Sequence, residues 1–153
     1  MNNINMYRDP RYKEIIKRRI LKKLTSYDSI RVINVFYYDD NKLVLLPYSQ
    51  AIKRILSYDF PVYKSVKDVY SLISEIKNIY NKNGDHIYWL LSSYDGSKWW
   101  IEIEILDLDM FLFDEYKKEK YQFIIIDRKN NFVMDSDLIE GDQYQIRILR
   151  IES

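Results

Sequence analysis

Apolar positions along the chain recur with two different periods, one typical of helices and one typical of strands. Between Tyr12 and Leu24, apolar residues return at steps of three and four, which places them on one face of a helix. Asp9 and Pro10 stand just before this run, as a capping residue followed by proline at the first helical position. We therefore predict an amphipathic helix over residues 10–25, with its basic residues on the opposite face.

The same helical spacing returns in the middle of the chain. Ser65 and Asp68 have the spacing of a capping box, with Asp in place of the usual Glu, and the apolar run follows them. The Asn-Gly pair at 83–84 is typical of a helix end, because glycine adopts the left-handed conformation easily. We predict a second helix over residues 65–82.

The segment between these two helices predicts a short hairpin and a short helix. Residues 31–38 are β-branched and aromatic, residues 39–41 (Asp-Asp-Asn) are typical of a turn, and residues 42–46 resume an apolar run. We expect Pro47 to end this hairpin and residues 48–56 to form a short helix.

Strand-like runs separated by turns fill the rest of the chain and predict an antiparallel meander. The predicted strands are residues 86–93, 98–106, 120–127, 131–134 and 142–151. The sequence therefore predicts an α+β fold, in which the N-terminal helices pack on one face of a mainly antiparallel sheet formed by the C-terminal half. With 153 residues, 47% of them apolar, one domain over residues 1–153 is expected.

The strand at 98–105 has the most informative pattern. Side chains alternate between the two faces of a strand, so Trp99 and the isoleucines that follow belong to one face, which we assign to the core. Trp100, Glu102 and Glu104 belong to the other face. This second face combines a large aromatic side chain with two acids.

A two-residue turn at 95–96 (Asp-Gly) is the strongest hairpin signal in the chain. Such a turn places Leu91 opposite Trp100 and Trp89 opposite Glu102, so that all four lie on the same face. An aromatic anchor with charges around it is typical of protein interfaces. The alternative is that a helix, such as the basic one at 10–25, covers this face and pairs its cations with the acids.

Composition excludes several kinds of chemistry. The chain has no cysteine, which excludes disulfides, thiolate nucleophiles and zinc–thiolate sites, and its one histidine excludes two-histidine metal sites. All three glycines fall at predicted turns or caps, and no phosphate-binding glycine motif occurs. We predict no catalytic residue, no metal site and no cofactor.

With no apolar run of about 18 residues and no secretory signal, we expect a cytoplasmic protein without a membrane span.

Charge is distributed unevenly along the chain, although the net charge is only +1. Residues 1–24 carry a charge of +6, and residues 85–153 carry a charge of −7. The acidic half should attract a basic protein and repel nucleic acid. The basic helix is most simply a solvated surface, and a phosphate-binding, nucleic-acid-binding or membrane-surface role is its alternative.

His86 supports an alternative function of a different class. A small hydrolase or ligand-binding domain would need an acid-lined pocket in which His86 acts as base and a carboxylate such as Asp107 orients it.

The carboxylates between Asp135 and Asp142 lack the glycine and the closing glutamate of a calcium-binding loop. We expect them to form a solvated acidic loop.

The order of elements in the second half resembles small bacterial proteins of the toxin-immunity type. The resemblance covers about residues 62–148, and it is carried by HIYWLLSSYDGSKWWIEIEI, DMFLFDEY and KYQFIIIDRKNNFVMDSDLIEGDQYQI. It implies a cytoplasmic α+β protein that neutralises a cognate toxin by binding, with acidic residues engaging a basic cleft of the toxin. From the pattern and the resemblance together, the predicted partner-binding residues are Trp89, Leu91, Trp100, Glu102, Glu104, Asp107 and Asp109.

Overall fold

Four helices pack against the two faces of one seven-stranded antiparallel sheet in the residues that the structure describes. The structure is a computed structural model, and it describes residues 10–80, 86–93, 96–118, 122–139 and 143–151. The helices are α1 (Pro10–Thr25), α2 (Lys42–Ile55), α3 (Val69–Ile79) and α4 (Leu108–Lys118). The strands are β1 (Ile30–Tyr37), β2 (Lys64–Val66), β3 (Ile87–Leu91), β4 (Trp99–Ile105), β5 (Gln122–Asp127), β6 (Phe132–Leu138) and β7 (Tyr144–Arg150). The predicted α+β class is confirmed.

The strand order is β1-β4-β3-β5-β6-β7-β2, and every pair is antiparallel. The C-terminal half supplies five strands, as predicted, and they form the centre of the sheet. The predicted meander is wrong, because β5 pairs with β3 and not with β4. The N-terminal half supplies both edges of the sheet. β1 pairs with β4, and the short β2 pairs with β7.

The larger core lies on the face that carries α1, α3 and α4. Ile20 from α1, Ile76 from α3 and Phe111 from α4 are fully buried there against Trp89 and Ile103 of the sheet. Removing a side chain of this size from water contributes roughly 1.5–3 kcal/mol, so this face supplies much of the stability. The predicted packing of the helices at 10–25 and 65–82 on one face is therefore confirmed.

The opposite face of the sheet is covered by α2, and here the predicted hairpin is wrong. Residues 42–46 belong to α2 and do not pair with β1. Leu45 and Ile55 of this helix are fully buried over Trp100. Pro47 lies inside the helix rather than ending a strand, although it cannot donate a backbone hydrogen bond to the preceding turn. Burial of the apolar side of α2 against the sheet outweighs that loss.

The helix predicted at 65–82 is shorter in the structure. Residues 64–66 form β2, so Ser65 is a strand residue. Asp68 is the N-cap instead, and its carboxylate accepts a hydrogen bond from the amide of Ser71 at 2.7 Å. The Asn-Gly pair at 83–84 lies outside the described residues.

Two further features of the second half differ from the sequence interpretation. Helix α4 was assigned no element from the sequence, although Phe111 and Leu112 are both fully buried. Strand β6 continues to Leu138 and includes Asp135 and Asp137, for which the sequence predicts a solvated loop. The remaining acids of that expected loop, at 140 and 142, lie outside the described residues.

Candidate functional site

The predicted aromatic and acidic surface is not assembled on one face of the β3–β4 ribbon. Leu91 pairs with Ile101 and Trp89 pairs with Ile103, an offset of one residue from the register expected for a two-residue turn. Because paired residues point to the same side of a sheet, this offset moves Trp89 and Leu91 to the face of α1, α3 and α4. The turn residue Asp95 lies outside the described residues.

All three apolar members of the predicted surface are buried inside the chain. Trp89 is 0%, Leu91 3% and Trp100 3% exposed. The indole nitrogen of Trp89 donates to the hydroxyl of Tyr80 at 2.7 Å, and that hydroxyl donates to Asp127 at 2.8 Å. The Trp100 ring lies 5.5 Å from the Tyr38 ring, in the core beneath α2. These side chains stabilise the fold and are not available to a partner.

Glu102 shares the face of Trp100, as predicted, but it is held by its own chain. It accepts two hydrogen bonds from Arg128, at 2.8 and 2.9 Å, and one from Asn34 at 2.9 Å. Burial favours the neutral carboxyl and by itself would raise the pKa of Glu102. The hydrogen bonds from Arg128 and Asn34 and the positive charge of Arg128 outweigh burial, so the pKa of Glu102 lies below its ordinary value. Glu102 is an ionised, satisfied structural residue.

Glu104 contacts Arg31 of β1 and His86, the residue just before β3. Its side chain is 5% exposed, and it lies 2.7 Å from Arg31 Nη2 and 2.9 Å from His86 Nδ1. Arg128, which binds Glu102, comes from the turn after β5, and Arg31, which binds Glu104, comes from β1. A helix does cover this face of the sheet, as the alternative expected, but it is α2 rather than the basic helix α1, and these arginines belong to neither helix.

The proposed acid-lined pocket around His86 does not bring its two named residues together. His86 uses Nδ1 to contact Glu104 and is 71% exposed. Asp107 instead accepts a hydrogen bond from the amide of Met110 at 3.0 Å, at the start of α4. Asp107 is thus a helix-capping residue, with no contact to His86 among the described residues.

The acids of β6 bind an arginine that sequence reasoning did not single out. Asp135 is fully buried, and Arg147 Nη1 lies 3.4 Å from it and 2.9 Å from Asp137. The pairing follows from the register, which places Asp135 directly opposite Arg147 on β7. Within the described ranges, no group of three or more His, Asp or Glu side chains could hold a metal ion.

An exposed apolar surface edged by acids does exist, on α4 and α3. Met110 and Phe113 are three residues apart on α4 and so share one side of the helix, and Leu106 stands just before the helix begins. Each of the three is between 40% and 58% exposed. Tyr70 of α3 is 69% exposed, and its ring centroid lies 5.8 Å from that of Phe113. We call these four residues, with the neighbouring Asp107 and Asp109, the α4 surface. Two of the seven predicted site residues therefore lie on it.

A groove of about 400 Å³ runs between α3 and α4 beside these side chains. Asp109 and Lys77 form an ion pair at 3.0 Å, and both side chains are at least half exposed. Tyr70 and Phe113 line the groove, and Ile73 forms its buried floor. The arrangement offers a partly apolar groove with an exposed Lys77–Asp109 ion pair at its edge.

The sequence signal for this surface is the three-residue spacing of Met110 and Phe113, which has meaning only if residues 108–118 form a helix. The sequence pattern predicts no helix there.

Comparisons with protein-family models, with curated proteins and with solved structures find no match for this chain. Among the helices of the described residues, none has the length and apolar content needed to cross a lipid bilayer.

Proposed function

We propose that this chain is a non-enzymatic binding protein, most specifically an inhibitor that neutralises a basic protein toxin. The observation that carries the proposal is the α4 surface, where four exposed apolar side chains lie beside two carboxylates. Exposed apolar groups rimmed by polar residues are typical of protein interaction sites. The proposed contact with the partner is therefore the α4 surface and not the β3–β4 ribbon, whose tryptophans are buried.

Electrostatics supports a basic partner for this region. Asp107 and Asp109 are exposed, and Asp114 follows Phe113 directly. Lys77 offsets one of these charges, but its ion pair is exposed and contributes little, so a partner's cation can compete with it. Rim charges of this kind speed association and select the sign of the partner.

The resemblance of the second half to toxin-immunity proteins supports a toxin as the partner. An immunity protein acts by occupying a surface of its toxin, which requires a stable binding face and no catalytic group. Because Glu102 and Glu104 are buried and paired within the chain, the proposed contact is placed on the exposed α4 surface, where Asp107 and Asp109 stand beside apolar side chains.

The proposal is tested by measuring partner binding with variants on two different helices. Tagged chain captures basic polypeptides from native extract, and the dissociation constant of the purified partner is measured by calorimetry. Met110→Ser with Phe113→Ser should weaken binding by at least about tenfold, because buried anchors carry most of the energy of an interface. Leu43→Ser with Leu46→Ser is the matched control, since these apolar side chains are exposed on α2, and it should bind normally.

Two further measurements decide the nature of the partner. Asp109→Asn should slow association and reduce its dependence on salt, because a rim charge is removed. Co-expression of the chain with its captured partner should relieve the growth arrest that the partner causes alone. Unchanged affinity of the Met110→Ser, Phe113→Ser variant would show that the α4 surface is not the interface, and capture of no basic polypeptide would overturn the function itself.

A further inference from the structure

The outer side of α2, away from the sheet, exposes large apolar side chains that the core does not use. Leu45 and Ile55 face the sheet and are fully buried. Leu43 and Leu46 are three residues apart on the opposite side of the helix, and they are 92% and 44% exposed. Pro47, beside Leu46, is exposed as well. The first half of α2 therefore presents an apolar patch to solvent.

The second half of the same outer side is basic. Lys53 follows Leu46 by seven residues and Arg54 follows Leu43 by eleven, so at 3.6 residues per turn both cations share a side with the leucines. Both cations are exposed. The remaining charged residue of α2 is Lys42, so the helix carries three positive charges and no negative one. We call Leu43, Leu46, Lys53 and Arg54 the outer α2 surface.

The positive charge of the outer α2 surface is not neutralised within the described part of the chain. Among the described residues, neither Lys53 nor Arg54 forms an ion pair. Asp39 and Asp40, which precede the helix, are each already held by a lysine at 2.8 Å. Residues 42–67 contain five basic side chains and one acidic side chain. This side of the molecule therefore attracts an anionic partner.

The exposed leucines indicate which kind of anionic partner fits. A nucleic-acid backbone would use the cations and leave the apolar patch in water, whereas an anionic bilayer surface offers lipid phosphates for the cations and acyl chains for the leucines. Tyr58, just beyond the helix, is fully exposed, and tyrosine is enriched at the interface between membrane and water. The amide of Ser57 donates to the carbonyl of Arg54 at 3.1 Å, so Tyr58 follows directly on the basic end of α2.

Helix α1, for which a membrane-surface role is the alternative, does not combine these features. In α1, which is described over its full length, only Ile15 among the large apolar side chains is more than half exposed. Helix α2 also lies on the opposite face of the sheet from α4. A bilayer against α2 would therefore not meet the carboxylates of the α4 surface, which it would repel.

We infer that the outer α2 surface binds the surface of a lipid bilayer that contains anionic lipids. The helix would lie along the plane of the headgroups, with Leu43 and Leu46 inserted toward the acyl chains. Lys53 and Arg54 would lie against lipid phosphates. Binding of this kind is reversible and does not require a membrane-spanning helix. It uses a different helix from the α4 surface and does not depend on the proposed function.

The test measures co-sedimentation of the full chain with vesicles of phosphatidylcholine alone and of phosphatidylcholine with phosphatidylglycerol. We expect binding to the anionic vesicles that weakens as salt is added, because salt screens the charges of lysine and arginine. Leu43→Ser with Leu46→Ser should weaken this binding by at least about fivefold, since two apolar side chains no longer enter the bilayer. Met110→Ser with Phe113→Ser is the matched control, because it removes two exposed apolar side chains from the opposite face, and it should bind normally.

A pair of charge variants separates contact at α2 from general attraction. Lys53→Gln with Arg54→Gln should weaken binding to the anionic vesicles by at least about fivefold, since each cation near an anionic bilayer contributes to affinity. Arg18→Gln with Lys22→Gln removes the same charge from α1, on the other face of the sheet, and should retain most of the binding.

A fluorescent label locates the contact without relying on affinity. Because the chain has no cysteine, one introduced cysteine is labelled alone. An environment-sensitive fluorophore on Leu43→Cys should brighten and emit at shorter wavelength when anionic vesicles are added, and the same fluorophore on Met110→Cys should not. No binding to anionic vesicles, or equal weakening by the variants on the two faces, would overturn the inference. Capture of an acidic polypeptide through Leu43 and Leu46, without binding to vesicles, would assign the surface to a protein and overturn it too.

Discussion

At the scale of single residues, two buried carboxylates on the sheet are each paired with an arginine far along the chain. Glu102 is held by Arg128, and Asp135 is held by Arg147. Burying an ionised group without a partner costs free energy. Each arginine therefore offsets the cost of burying its carboxylate, and removing it should destabilise the fold. The sequence shows the acids but not their partners, because Arg128 and Arg147 lie 26 and 12 residues further along the chain.

The pair of Glu102 and Arg128 gives a test of this arrangement. Arg128→Met should lower the free energy of unfolding by about 2 kcal/mol, less than for a fully buried pair, because the Arg128 side chain is 27% exposed. Urea unfolding at neutral pH measures the change. Arg150→Met, at an exposed position at the end of β7, is the control and should change stability by no more than about 0.5 kcal/mol.

A dependence on pH follows from the same pair. The pKa of Glu102 is lowered in the folded protein, so the stability that its charge contributes is complete above its ordinary value of 4.5 and is lost as the pH falls below that value. The difference in unfolding free energy between the unchanged chain and Glu102→Gln should therefore shrink between pH 7 and pH 3. A difference that stays constant over this range would show that the charge of Glu102 is not what holds Arg128.

At the scale of elements, helix boundaries depend on which polar side chain reaches the first free amides. Ser65 and Asp68 both suit the start of a helix, and the sequence pattern alone favours the first. In the structure, residues 64–66 pair with β7, so the backbone of Ser65 is extended and only Asp68 can cap α3. The partner strand decides where the helix begins.

Two single variants distinguish these interpretations. Asp68→Ala should lower the thermal midpoint of unfolding, because the amide of Ser71 loses its acceptor, whereas Ser65→Ala should leave it nearly unchanged. The hydrogen bonds from Ser71 lower the pKa of Asp68 below its ordinary value of 3.8. The gap between the two variants should therefore persist above that pH and close below it. Equal midpoints at neutral pH would contradict the observed cap.

Helix α2 shows how burial outweighs local preference. Residues 43–46 are apolar without a clear period, and Pro47 disfavours the middle of a helix. Leu45 and Ile55 nevertheless bury completely against the sheet, and no equivalent cover would exist if this segment paired with β1 as a strand. A short apolar run cannot be assigned to helix or strand from its own residues.

At the scale of the whole molecule, the sheet has helices on both faces, and as a result all three tryptophans are buried. Trp89 and Trp99 face the layer of α1, α3 and α4, and Trp100 faces α2. A ribbon with helices on only one side would leave one indole in water. Here the two layers enclose all three.

Tryptophan fluorescence tests this placement directly. The folded chain should emit at shorter wavelength than the unfolded chain and should be quenched poorly by acrylamide, because the three indoles are 0%, 6% and 3% exposed. Unfolding in urea provides the reference for full exposure. Strong quenching of the folded chain would mean that the β3–β4 ribbon is open to solvent and that the tryptophan surface is available to a partner after all.

The sequence by itself determined the fold class, the position of α1, the five central strands and the alternation of residues along β4. Each depends on local periodicity, which reports which side chains share a side. The tertiary structure alone decided the one-residue offset between β3 and β4, the place of α2 on the second face, and the arginines that pair with the buried acids. These three features depend on loop conformation and on contacts between residues far apart in sequence. The alternation of residues along one strand shows which side chains share a face, but it does not show which element covers that face.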